Sequence, residues 1–150
     1  MIANLLNVDS IQLNCEATDW EEAIRKAATP LLNADSIEES YIDAMITSTR
    51  EHGPYIVIAK SIAMPHARPE QGVNEIGISI ATLKKPINFG HTENDPVDIV
   101  IPICAVDSNS HIELLTELAT LLDDSDFIDM VRNSQNPSEV LQFIQNYKFD

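Results

Sequence analysis

The hydrophobic period of this chain changes at Gly53-Pro54, and that change decides its architecture. Before it, apolar residues return at helical spacing: Trp20, Ala23, Ile24, Ala27 and Leu31, then Ile37, Tyr41, Met45 and Ile46. After it come runs rich in β-branched residues, Tyr55-Ile56-Val57-Ile58, Ile76 to Leu83 and Val97 to Val106, bounded by Pro, Gly, Asn and Asp. The third run is almost continuously apolar, as a central strand covered on both faces should be. Helical spacing then resumes with Leu114, Leu115, Leu118, Leu121 and Leu122. Helices, then strands, then helices, with no linker or internal repeat, predict a single layered α/β domain with a mixed β-sheet flanked by helices. The 150 residues, 44% of them hydrophobic, suffice for one such domain over 1–150 and for no second one.

Local signals set the expected boundaries. Ile11 to Cys15 alternates apolar and polar and reads as a strand. Thr18-Asp19-Trp20-Glu21 reads as a capping box opening a helix from about Asp19 to Leu32, in which Pro30 predicts a kink or early stop. Ser36-Ile37-Glu38-Glu39 repeats that signature, and Gly53-Pro54 ends the helix it starts. Asn94-Asp95-Pro96 reads as a turn, and Ser110-His111-Ile112-Glu113 as the cap of the Leu-rich helix. A short helix is expected over Asp126 to Arg132, and Asn136-Pro137 should start a terminal one, with Asn as cap and Pro at the first helical position.

Nine Lys plus Arg against 24 Asp plus Glu give a formal charge of -15. Such a surface repels the phosphates of nucleic acid and anionic headgroups, so neither is an expected partner. Any anion must be met by a local positive site, and a basic protein partner would be steered inward. Cys15 and Cys104 lie in apolar settings without C-x-x-C spacing, which predicts inert thiols in a reducing cytosol. Met1 to Asn7 lacks a basic region, and no stretch approaches the ~18 apolar residues of a membrane span, so a cytoplasmic location is expected.

The sharpest chemical feature is Ser61-Ile62-Ala63-Met64-Pro65-His66-Ala67-Arg68, which delivers His66 between Pro65 and Pro69. A neutral imidazole is a nucleophile at cytosolic pH, and a hydrogen bond at one ring nitrogen decides which other nitrogen attacks. A surface histidine in a rigid turn accounts for the same residues equally well. Arg50, near a helix C-terminus, either offers a planar fork to an oxyanion or complements the helix dipole. His111, in the first turn of its helix, either points its ring and the free N–H groups there at an anion or adds capping polarity. Arg68 is a second cation within reach, whereas His52 and His91 read as turn or surface residues. A metal site from His66, His91, His111 and Cys104 lacks H-x-x-x-H or H-E-x-x-H spacing, and neither a G-x-S-x-G elbow nor a Gly-rich P-loop is present.

Around these residues the chain resembles the fructose/mannitol-type enzyme IIA domains of the bacterial phosphoenolpyruvate-dependent sugar phosphotransferase system. The resemblance rests on Ser61 to Ala67 around Pro65-His66, on Arg50 upstream, and on His111 opening His111-Ile112-Glu113-Leu114-Leu115. His52-Gly53-Pro54-Tyr55-Ile56-Val57 and Pro65-His66-Ala67-Arg68-Pro69-Glu70 are most similar to the ascorbate-type branch. It implies that His66 accepts a phosphoryl group from the phosphocarrier HPr and passes it to an enzyme IIB, ahead of a membrane enzyme IIC. It also implies that His111 and Arg50 lie beside the phosphohistidine and that no cofactor is needed. Ile62 and Met64 are expected to rim the docking surface. Lys60-Ser61 departs from the family pattern, in which a glycine is common before the Ile-Ala-apolar-Pro-His stretch. The alternative reading is a regulatory module of the same fold, whose phosphorylation changes its grip on a transcription factor, transporter or kinase.

Overall fold

In the computed structural model, which describes residues 1–149, a five-stranded mixed sheet has the order β1-β5-β6-β3-β2. The strands are β1 (Ile11–Cys15), β2 (Val57–Ala59), β3 (Ile62–Ala63), β5 (Ile80–Ile87) and β6 (Val97–Val100). β1 runs parallel to β5 and β3 parallel to β6, while β5/β6 and β2/β3 are antiparallel. Two further strands, β4 (Gly77–Ile78) and β7 (Ile103–Cys104), form a separate antiparallel pair. The expected mixed α/β layering is therefore present, with β6 at the sheet's centre.

Strand alternation divides the core in two. Ala63, Ala81 and Val100 point to one side, where α2 (Trp20–Asn33) and α3 (Glu39–His52) cover them with Ile24, Ala27, Tyr41 and Met45. Their neighbours Ile62, Ile80 and Ile99 point to the other side. There they meet α1 (Ile2–Leu5), α4 (Ser108–Leu122), α5 (Ser125–Asn133) and α6 (Pro137–Gln145), which contribute Ile2, Leu114, Leu118, Phe127 and Ile144. Among the described residues no helix is long and apolar enough to cross a membrane.

Two of the predicted strands break. The run Val97 to Val106 divides at Ile101-Pro102, because Pro102 has no N–H to continue the ladder. Its second part moves into the β4–β7 pair. Ile76 to Leu83 divides at Ser79, whose N–H donates to the Pro102 carbonyl at 3.1 Å and whose hydroxyl donates to Ala27 O at 2.8 Å. β2 begins two residues later than Tyr55, and β3 was not anticipated as a separate strand.

The helix starts are also displaced. Asp19, not Thr18, caps α2: its carboxylate accepts the Glu22 N–H at 2.9 Å, while the Thr18 hydroxyl reaches only the Glu22 side chain. Pro30 neither stops nor shortens α2. The Lys26 carbonyl, which a residue with an N–H at position 30 would serve, instead accepts a hydrogen bond from Gln12 Nε2 of β1 at 2.7 Å. Ser36 does not cap α3. It is buried, donates to Glu75 Oε1 at 3.1 Å and accepts the Asn74 N–H on its carbonyl at 2.8 Å. Gly53 ends α3 at φ +85°. α4 begins at Ser108 under the cap of Asp107, before the Ser110 expected from sequence, and Asn136 caps α6 as expected.

Candidate functional site

His66 leaves the sheet just beyond β3, on a segment anchored from several sides. The Met64 N–H donates to Ile56 O at 2.7 Å, the Ile103 N–H to Pro65 O at 3.1 Å, and the Ala67 N–H to the Tyr41 hydroxyl at 3.0 Å. Tyr41 is 1% exposed and in turn donates to Ile103 O at 2.8 Å, so one buried hydroxyl ties the histidine loop to β7. Burial pushes its phenol well above the usual tyrosine range. At the other end of the segment Ser61 has φ +65°, the left-handed region where glycine is at home. Its N–H donates to Asn94 O at 2.9 Å and its carbonyl accepts the Asp98 N–H at 3.0 Å, so the bend survives without glycine.

The imidazole orientation follows from two contacts. Nδ1 of His66 lies 2.8 Å from the Met64 carbonyl. A carbonyl can only accept, so Nδ1 carries the proton and Nε2 keeps its lone pair. The Tyr55 ring meets the imidazole edge-on, with centroids 5.5 Å apart and planes at 89°. The Tyr55 hydroxyl sits 3.0 Å from Ser48 Oγ, which fixes the ring against α3.

His66 and His111 line the same open cleft of about 1560 Å³, between the C-terminal half of α3 and the start of α4. The His111 N–H is spent on Asp107 O at 3.1 Å, so its contribution to the cleft is its ring. Asp107 takes the capping role: it accepts from the Ser110 N–H at 2.8 Å and from the Ser110 hydroxyl at 2.7 Å, bonds that hold its carboxyl below the usual range. Arg68 and His52 also line the cleft.

The structure does not bring Arg50 there. Its side chain leaves the opposite flank of α3 and pairs with Glu21 on α2. His91 is a turn residue, as expected, its Nδ1 accepting the Asn94 N–H at 3.1 Å. Cys104 lines the cleft floor, but burial pushes its thiol up to about 12, and Cys15 is raised for the same reason. Among the described residues no group of three or more His, Cys, Asp or Glu is placed to hold a metal ion. Ile62 and Met64, expected on the rim, are 3% and 8% exposed; the apolar rim consists of Tyr55, Val106 and Ile112, at 42%, 47% and 60%. Sequence reasoning missed Tyr41, Tyr55 and Asp107. The Asp-x-x-Ser spacing at 107–110 was a signal for the last.

A mixed sheet that presents an oriented histidine in an open cleft is an arrangement suited to a carrier domain. Residues 4–147 match the family model "Phosphoenolpyruvate-dependent sugar phosphotransferase system, EIIA 2", and the chain belongs to that family of phosphoryl carriers. It is 43% identical over 136 residues to the ascorbate-specific PTS system EIIA component of Escherichia coli K12, covering 90% of this chain and 88% of that protein. The solution structure of the mannitol-specific cryptic phosphotransferase enzyme IIA CmtB of Escherichia coli superimposes with a TM-score of 0.88 at 31% identity, over 98% and 100% of the two chains. The enzyme IIA of the Escherichia coli complex of mannitol enzyme IIA with phosphorylated enzyme IIB gives 0.81 at 30% identity, over 95% and 98%.

Proposed function

We propose that this chain, acting as one EIIA domain over residues 1–150, carries a phosphoryl group on His66 Nε2 between HPr and an enzyme IIB in the cytoplasm. The transported sugar is ascorbate, and a membrane enzyme IIC completes the pathway. The observation that carries the proposal is the 2.8 Å contact between His66 Nδ1 and the Met64 carbonyl, which leaves Nε2 as the nucleophile. The Nε2 lone pair forms the new N–P bond as phosphorus separates from the donor atom, which keeps the electron pair. The proton stays on Nδ1, hydrogen-bonded to the Met64 carbonyl, so the positive charge gained by the ring is met by a fixed dipole. Transfer onward reverses these steps: the N–P bond breaks and its electrons return to Nε2.

In this reading the His111 ring, which lines the same cleft, donates a hydrogen bond to a phosphoryl oxygen. Arg50, paired with Glu21, ties α2 to α3 in this reading. Phosphoryl transfer asks the protein mainly for alignment and charge stabilisation, and the backbone bonds around residues 64–67 provide the alignment. Tyr55, Val106 and Ile112 supply an apolar rim that successive protein partners can cover and leave. Likeness to the ascorbate-specific component supports a transport role over the purely regulatory one.

Incubation with phosphoenolpyruvate, enzyme I and HPr tests the proposal, read by intact mass and acid lability. Wild type should gain about 80 Da, the mass of one phosphoryl group on an activated histidine, as an acid-labile adduct. Folded His66→Ala should gain nothing. An acid-labile adduct on His66→Ala would overturn the site.

A further inference from the structure

The cleft around His66 has an unusual charge inventory. Its wall carries the carboxylates Asp43, Glu51, Glu70 and Asp107, and Arg68 is the one Lys or Arg among the described residues that line it. Asp43 is engaged by Arg25 of α2 at 2.9 Å. A phosphoryl group arriving on His66 adds roughly another -1.5 to -2 of charge to this wall at neutral pH. Without a fixed cation, such a site would oppose the step that loads it.

Arg68 is placed and free to be that cation. Its backbone is fixed: the N–H donates to Gln71 Oε1 at 3.1 Å, and the carbonyl accepts the Gln71 N–H at 3.0 Å. Pro69 further restricts it to extended geometry, observed as φ -77° and ψ 146°. The side chain, in contrast, is exposed and makes no hydrogen bond or ion pair among the described residues. A planar guanidinium two residues from the nucleophile on a stiff backbone can offer two parallel N–H donors to phosphoryl oxygens.

We propose that Arg68, and not Arg50, is the arginine that binds and stabilises the transferring phosphoryl group. The inference rests on His66 being the phosphorylated residue. In the transition state the equatorial oxygens carry charge that the Arg68 fork meets, while the N–P bond forms at Nε2 and the bond to the donor breaks.

The test is single-turnover transfer from phosphorylated HPr, followed by rapid quench across a series of donor concentrations, with circular dichroism confirming the fold of each variant. Arg68→Ala should lower the limiting rate at saturating donor about 10- to 100-fold, the range set by losing a charge-assisted bond. Arg68→Lys should recover part of it, because it restores the charge without the fork. Arg50→Ala should stay within about twofold of wild type, as expected for a solvent-exposed charge outside the cleft. An unchanged limiting rate in Arg68→Ala overturns the inference, including the case in which only the half-saturating donor concentration rises, since that marks a docking contact. A limiting rate that falls in Arg50→Ala and holds in Arg68→Ala overturns it as well. The His66→Ala mass experiment fails separately, so loss of the nucleophile assignment is distinguishable from loss of the arginine assignment.

Discussion

Replacing Tyr41 by Phe removes one oxygen and leaves the buried ring in place, so it isolates what that hydroxyl does. The hydroxyl's donation to Ile103 O at 2.8 Å, shared with Ala67 O at 3.3 Å, disappears together with the 3.0 Å bond it accepts from the Ala67 N–H. Each ordinary hydrogen bond contributes about 1 kcal/mol net, and a buried group left unpaired adds its own desolvation cost. The Ile103 carbonyl belongs to a buried residue, whereas Ala67 is half-buried and can recover a water. The sum is a destabilisation of about 2 kcal/mol, within a range of roughly 1 to 3. At about 2–4 °C per kcal/mol for a chain of this size, the melting temperature should fall by about 4–8 °C. The same loss frees the residue that follows His66, so the rate of His66 phosphorylation should drop alongside stability. Urea unfolding followed by tryptophan fluorescence and circular dichroism measures the first effect, and single-turnover labelling the second. A change below about 0.5 kcal/mol, the scatter of neutral substitutions, would refute the claim that this hydroxyl holds the loop to β7.

Two other perturbations test the scaffold. Ser61→Gly should raise stability by up to about 1 kcal/mol, because left-handed backbone costs a non-glycine residue about 1–2 kcal/mol and glycine's greater unfolded freedom returns part of that; a lower denaturation midpoint would contradict the reading of φ +65°. Cys104, raised from its ordinary 9.0 to about 12, should resist iodoacetamide at pH 8 in the folded protein and react on unfolding. Between those two pH values the unfolded chain releases this proton while the folded chain keeps it. Stability should therefore fall by up to about 1.4 kcal/mol per pH unit above pH 9, and Cys104→Ala should flatten that slope in denaturation curves recorded across the range.

The layering and the nucleophile candidate were legible because they rest on periodicity and on a short stiff segment, both local properties. The alternation at Ile62/Ala63, Ile80/Ala81 and Ile99/Val100 is visible as adjacent apolar residues, and the structure distributes each pair to opposite cores. What escaped was long-range. Ser36 looks like a cap until Glu75, 39 residues away, takes its hydroxyl. Pro102 sits in an apolar run that reads as one strand, and only the pairing of β7 with β4 shows that the run serves two sheets. Arg50 and Arg68 are equally cationic on paper. Which one lines the cleft is set by the flank of α3 that faces α2, and by the turn at Pro69. Tyr41 reads simply as core, because its hydroxyl's partners lie 26 and 62 residues ahead.

The hydrogen bond from Gln12 to the Lys26 carbonyl makes positions 12 and 30 energetically dependent on each other. Proline at position 30 is tolerable in the last turn of α2 while a β1 side chain serves the carbonyl it orphans. With a residue bearing an N–H at 30, the helix itself serves the Lys26 carbonyl and the glutamine bond only adds to it. Substitutions at 12 and 30 are thus epistatic: the cost of losing the glutamine depends on whether the proline has already arrived. Removing the Gln12 amide should therefore cost more beside Pro30 than beside an alanine at 30, a coupling that a double-mutant cycle reads out.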